Sequence, residues 1–158
     1  MLDTAIETMH TPLKIDFSTG DVITPREVSY SFRLLFEERT ISILAYNLET
    51  VLAEKLETLL ARGTANTRMR DYYDIYVLTN TQEHNIDNAT LKEAFVNTSA
   101  KRGSIGLLSD VHLILKEVAE SIVLIDRWKN YQRKFDYAAD VLWADVMESV
   151  SCLVEIVK

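Results

Sequence analysis

Asn47-Leu48-Glu49-Thr50-Val51-Leu52-Ala53-Glu54-Lys55-Leu56-Glu57-Thr58-Leu59-Leu60-Ala61-Arg62-Gly63 is the stretch that decides the fold. At about 100° per residue, Leu48, Val51, Leu52, Leu56, Leu59 and Leu60 fall on one side, the stripe of an amphipathic helix. Asn47 is a strong N-cap and Gly63 a natural stop, so the spacing predicts a helix over 47–62. Lys55 falls inside the apolar stripe, one turn beyond Val51 and Leu52, and Arg62 follows two turns later on the same side. An ammonium there must either reach water along its stem or meet an anion, because an unpaired buried charge is expensive.

Working downstream, the link Gly63-Thr64-Ala65-Asn66 is short enough to make the next helix a packing neighbour. That helix is predicted from about Thr67 to Asn80 and carries Asp71 and Asp74 on one side, three residues apart. Arg68 and Arg70 each precede an aspartate by about one turn. The bland reading is a pair of intrahelical salt bridges worth a few tenths of a kcal/mol each. The sharper reading brings Lys55, Arg62, Arg68 and Arg70 around Asp71, cations for a triphosphate and a carboxylate for its metal. A polar loop (Thr81 to Asp87), a helix near Ala89–Lys101, a break at Arg102-Gly103-Ser104, and helical patterns over 109–134 and from Tyr137 onward complete a bundle.

Upstream, apolar residues alternate. Leu13-Lys14-Ile15-Asp16-Phe17 predicts a short strand, residues 27–36 a longer one with a buried face, and Ile41 to Tyr46 a return strand after the turn Glu37-Glu38-Arg39. The expected class is therefore α+β, mainly α: a short N-terminal hairpin or meander (1–46) followed by a helical domain (47–158). Asp16, flanked by apolar strand residues, either faces solvent or serves as a metal-binding carboxylate.

Composition narrows the function. The 158 residues include 17 basic and 24 acidic side chains, a net charge of −7, so any contact with nucleic acid needs a local basic patch. The single Cys152, read as a small core residue, and the absence of a basic leader with an apolar h-region point to a cytoplasmic chain. No run approaches the roughly 20 apolar residues of a membrane span. There is no phosphate-binding Gly-x-x-x-x-Gly-Lys loop and no Gly-x-Gly-x-x-Gly, and His10, His84 and His112 are too scattered for a zinc site. Tyr72, Tyr73 and Tyr76 are read as core before they are read as a stacking surface for a base.

Three segments together resemble the AbiEii family: Ile15 to Asp21, Ala45 to Leu56 with its Ala-Glu-Lys-Leu, and Arg62-Gly63 followed by Arg68-Met69-Arg70-Asp71-Tyr72-Tyr73-Asp74. Trp128 to Lys134 with Tyr137 resembles that family's terminal helices. The resemblance implies a nucleotidyltransferase of the DNA-polymerase-β type, the toxin of a type IV toxin–antitoxin or abortive-infection pair. It implies a nucleoside triphosphate and Mg²⁺ as cofactors, and tRNA acceptor ends as a substrate class of related toxins. Lys55 would contact the triphosphate and Asp71 would be the companion carboxylate. Arg62, Arg68 and Arg70 would be the nucleotide-binding cations, Glu54 and Asp74 supporting acids, and Asp16 the metal ligand.

The family's first motifs, a Gly-Gly/Ser turn and an Asp-x-Asp pair, belong upstream of Ile15, and residues 1–14 contain neither. The expectation is the C-terminal part of such an enzyme, inactive alone, with a sheet remnant left exposed for a homodimer or other partner. The competing expectation is a non-catalytic helical module that binds an antitoxin-like or paralogous protein.

Overall fold

The computed structural model describes residues 2–6, 8–15 and 19–158. Strands β1 (Leu2–Ile6) and β2 (Met9–Leu13) form one antiparallel ribbon, and β3 (Val28–Arg33) and β4 (Thr40–Ala45) a second. Six helices follow: α1 (Leu48–Arg62), α2 (Met69–Gln82), α3 (Asn88–Arg102), α4 (Val111–Glu120), α5 (Ile122–Lys134) and α6 (Trp143–Val157). The class is α+β with helices dominant, as the sequence predicts.

The helices surround one core. Leu52, Leu56 and Leu59 of α1 are fully buried, with Ile75 of α2, Leu91 of α3, Val118 of α4, Leu124 of α5 and Val150 of α6. Each comes from the apolar stripe of its helix, and burying these stripes against one another is the dominant stabilising term. The main contacts run between α1 and α3, α2 and α6, α3 and α6, and α1 and α2. α1 is thereby fixed from two sides.

The sequence reading of α1 is accurate because its ends are chemically marked. The Asn47 side chain accepts from the Thr50 backbone N–H, and Gly63 ends the helix at a positive φ of 48°. Asn47 does a second job, donating Nδ2 to the Thr24 carbonyl at 2.7 Å. Thr24 is itself buried: its N–H donates to the Thr50 hydroxyl at 3.0 Å and its hydroxyl accepts from Asn97 at 3.0 Å. The segment before β3 is thus stitched to α1 and α3 immediately beside the chain leaving β4. Asn47→Ala is expected to lower the unfolding free energy by about 1–2 kcal/mol, a cap plus one part-buried hydrogen bond. Urea denaturation reads this as a lower midpoint at unchanged slope. A loss under about 0.3 kcal/mol would mean that the stitch carries no load.

Several expectations need correction. The strand predicted over 13–17 ends instead at Leu13, and Lys14 and Ile15 lie outside it; Asp16 and Phe17 lie outside the described residues. β2 carries Pro12, which a two-stranded ribbon tolerates because one side of each strand needs no ladder donor. The face predicted to be buried on β3 is not: Val28, Tyr30 and Phe32 alternate on one side, register against Ala45, Ile43 and Ile41, and remain exposed, Tyr30 at 55%. The long helix predicted over 109–134 is broken at Ser121, whose side chain caps α5 by accepting from the Leu124 N–H. Residues 139–142 separate a short 3-10 turn from α6, so the last helix starts later than Tyr137. Cys152 is exposed rather than core. Its α6 neighbours Val150, Leu153 and Val154 take the buried stripe, and the thiol falls off that phase.

Candidate functional site

Two turns of α1 bring Lys55 from the Asn47 cap to a point opposite the first turns of α2. There its Nζ donates to Asp71 Oδ1 at 2.8 Å and to Asp74 Oδ2 at 2.7 Å. Spacing explains the clamp, since carboxylates three apart on a helix share a side and can close on one ammonium. Lys55 is only 20% exposed and Asp71 16%. Burial alone would lower the Lys55 pKa, but the two carboxylates outweigh it and hold the group above its ordinary value. Lys55 therefore neither snorkels alone nor stays unpaired.

A cavity of about 320 Å³ opens over this clamp, with Glu54, Lys55, Arg68, Asp71 and Arg102 on its walls. Glu54 points in beside Lys55 with its pKa raised, first by burial and against the lowering effect of Arg102. Tyr46, leaving β4, also lines the cavity and donates its hydroxyl to Asp21 at 2.9 Å. This hydrogen bond is the chief reason its pKa is raised.

The structure brings Lys55, Arg68 and Asp71 together, with Asp74 and Glu54 beside them, but separates the other candidates. Arg62 is exposed on the last turn of α1, away from the cavity and without an ion pair among the described residues. Arg70 is 80% exposed, reaches Asp74 only at 4.0 Å, and faces a neighbouring groove. Asp16 lies outside the described residues.

Arg102 is the residue that sequence reasoning missed. It arrives from the end of α3 and donates Nη1 to Glu57 Oε2 at 2.5 Å and to the Thr58 hydroxyl at 3.1 Å. Its Nη2 lies 3.6 Å from Glu54. Glu57, with a side chain 4% exposed, also accepts from the Ser104 hydroxyl at 2.7 Å. The signal was available: Glu57 stands one turn after Ala53 and one before Leu60, both core residues, so it required a cationic partner.

Among the described residues no cluster of three or more acidic, His or Cys side chains is placed to hold a metal by itself. Two carboxylates and three cations on one small cavity suit a different ligand, a metal that arrives already bound to phosphates. Mg²⁺ in particular is commonly held by one or two carboxylates with phosphate oxygens and waters completing its shell. The donor set fits that group.

A family model described as "Nucleotidyl transferase AbiEii toxin, Type IV TA system" matches residues 2–149. No curated protein and no solved structure matches the chain. The matched span contains every cavity residue described above.

Proposed function

This chain belongs to the AbiEii family of nucleotidyl transferase toxins of type IV toxin–antitoxin systems, and from that premise we propose that the cavity over Lys55 and Asp71 binds the triphosphate of a Mg²⁺-bound nucleoside triphosphate. The observation that carries the reading is the clamp itself, one ammonium at 2.8 and 2.7 Å from two carboxylates in the wall of a cavity lined by Arg68, Arg102 and Glu54. An ammonium has three donors. Two are spent on Asp71 and Asp74, which fixes the direction of the third for a phosphate oxygen. Arg68 offers a planar fork suited to two oxygens of one phosphate, while Arg102, held on Glu57 and the Thr58 hydroxyl, adds positive charge to the same wall.

Asp71 and Glu54 are the carboxylates that would face the metal. A bound Mg²⁺ would supply charge neutralisation on the phosphates and hold them in line for transfer. The raised pKa of Glu54 fits this role, since a carboxylate desolvated by burial gains most from a nearby cation.

The reading assigns binding, not transfer, to this chain's own residues, because the sequence contains no Asp-x-Asp pair to activate an acceptor hydroxyl. RNA, with tRNA as the first species to try, is the proposed acceptor class, and an antitoxin the proposed protein partner in the cytoplasm. No helix among the described residues is long and apolar enough to cross a membrane.

Titration with nucleoside triphosphates with and without Mg²⁺ tests the reading. Asp71→Asn is expected to remove most of the Mg²⁺-dependent part of the affinity, about tenfold or more, while binding without metal changes little. Equal loss in both conditions would overturn the assignment of Asp71 to the metal side. Transfer of labelled nucleotide to RNA by rigorously purified protein would overturn the binding-only clause.

One observation favours a second reading, a non-catalytic module that binds protein: the apolar side of the β3–β4 ribbon stays in water. Under it Lys55→Ala and Asp71→Ala leave partner capture unchanged. A loss of capture by either variant with folding intact would count against it.

A further inference from the structure

Beside the Lys55 cavity, and sharing Arg68 and Asp71 with it, lies a larger groove of about 650 Å³ between the start of α2 and the end of α5. Four of its lining side chains are cationic, Arg68, Arg70, Arg127 and Lys134, against the single carboxylate of Asp71. In a chain of net charge −7 this is a pronounced local reversal. Aromatic rings line it as well: Tyr131, Phe135 and Tyr137.

These rings are held in place from behind. Tyr131 stacks on buried Trp128 with ring centres 5.4 Å apart, and Phe135 and Tyr137 stack on each other at the same distance. The Tyr131 and Tyr137 hydroxyls are 2.8 Å apart, and Tyr73 donates to the Tyr137 carbonyl at 3.2 Å. Yet the Tyr137 ring, 53% exposed, still offers surface to solvent.

The cations are positioned too. Asn66, fully buried, accepts the Arg68 backbone N–H on its side chain at 2.9 Å, while its carbonyl accepts Arg127 Nη1 at 2.6 Å. Lys134 sits 5.5 Å over the Phe135 ring.

We propose that this groove binds an unpaired stretch of nucleic acid, with phosphates on Arg68, Arg70, Arg127 and Lys134 and a base on the exposed Tyr137 ring. Fixed cations alone would fit any polyanion. Cations beside pre-stacked rings select a strand whose bases are free to stack, because bases inside a duplex have no face to offer. The inference rests on the nucleotide reading of the adjacent cavity only for its consequence: a strand end in the groove reaches the shared wall at Asp71, beside the triphosphate. The groove would then be the acceptor side of the site, and the Lys55 cavity the donor side.

Fluorescence anisotropy of a short labelled oligouridylate against the full chain tests this, with Mg²⁺–UTP titrated in parallel. Wild-type protein is expected to bind the single strand with strong salt dependence. Tyr137→Ala with Lys134→Ala is expected to weaken that binding about tenfold or more and leave Mg²⁺–UTP binding unchanged. Lys134→Glu alone, at an exposed position and with every ring of the groove left in place, is expected to weaken it and flatten the salt slope by about one unit, which covers the case of a misfolded double variant.

Unchanged oligonucleotide binding in folded variants would overturn the proposal, as would equal affinity for duplex RNA. Equal loss of UTP binding would overturn it as well, because the groove would then belong to the donor site. Oligonucleotide binding without any UTP binding would support the groove and sink the nucleotide reading of the cavity instead.

Discussion

Lys55→Met is expected to abolish measurable Mg²⁺–nucleotide binding, a loss of at least about a hundredfold, and to lower stability by roughly 1–3 kcal/mol. The two effects have separate causes. Binding fails because the ammonium on the cavity wall is gone. Stability falls because Asp71 and Asp74, closed on that ammonium at 2.8 and 2.7 Å, are left facing each other with little access to water. The cost is below the full penalty of a buried pair because both acids keep some exposure. Adding Asp71→Asn to Lys55→Met removes the repulsion, so it should recover part of the stability and none of the binding.

The pH dependence has a definite sign. A lysine whose folded pKa is raised contributes stability that is complete below its unfolded value of 10.5 and is lost as pH rises through the higher folded value. The gap in stability between wild type and Lys55→Met should thus be flat through neutral pH and shrink only in strong alkali. A gap that shrank on going from pH 9 down to 7 would contradict this account.

Arg102→Met is expected to cost about 2–4 kcal/mol, the larger of the two stability effects. It strands the Glu57 carboxylate, buried against α3 and left with only the Ser104 hydroxyl as donor. Glu57→Gln in the same chain should restore much of the loss, since a neutral amide is cheaper to bury than an unpaired charge. Nucleotide affinity should stay depressed in both variants, because Arg102 also lines the cavity. Thermal or urea unfolding measures the first effect and nucleotide titration the second. Recovery of both in the double variant would show that Arg102 acts on the cavity only by supporting α1.

What the sequence made legible was local. Asn47 and Gly63 marked α1, its stripe placed Lys55, and the three-residue spacing of Asp71 and Asp74 put both acids on one side of α2. Helix phase also carried information that a composition argument ignored: Cys152 lies off the stripe formed by Val150, Leu153 and Val157. What was illegible depended on distant partners. Arg102 meets Glu57 across 45 residues only because α1 and α3 pack together. The basic–aromatic groove forms only because α5 folds back against α2. Alternation gave the β3–β4 pairing but could not say whether anything covers its apolar side. The break at Ser121 was hidden because Ile122 to Ile125 continue an apolar run, and only the hydroxyl's capping role separates α4 from α5.

The stitch at Thr24 has one more consequence. The chain enters β3 just after Thr24 and leaves β4 just before Asn47, and the Asn47 side chain fastens those two points directly to each other. Whatever happens between them begins and ends at the same place. Insertions or deletions in the hairpin, taken in matched pairs so that the alternation of its faces survives, would change its reach without moving the start of α1. The spacing of Lys55 from Asp71 is therefore indifferent to hairpin length, and this ribbon is where the chain can vary in size while its cavity keeps its dimensions.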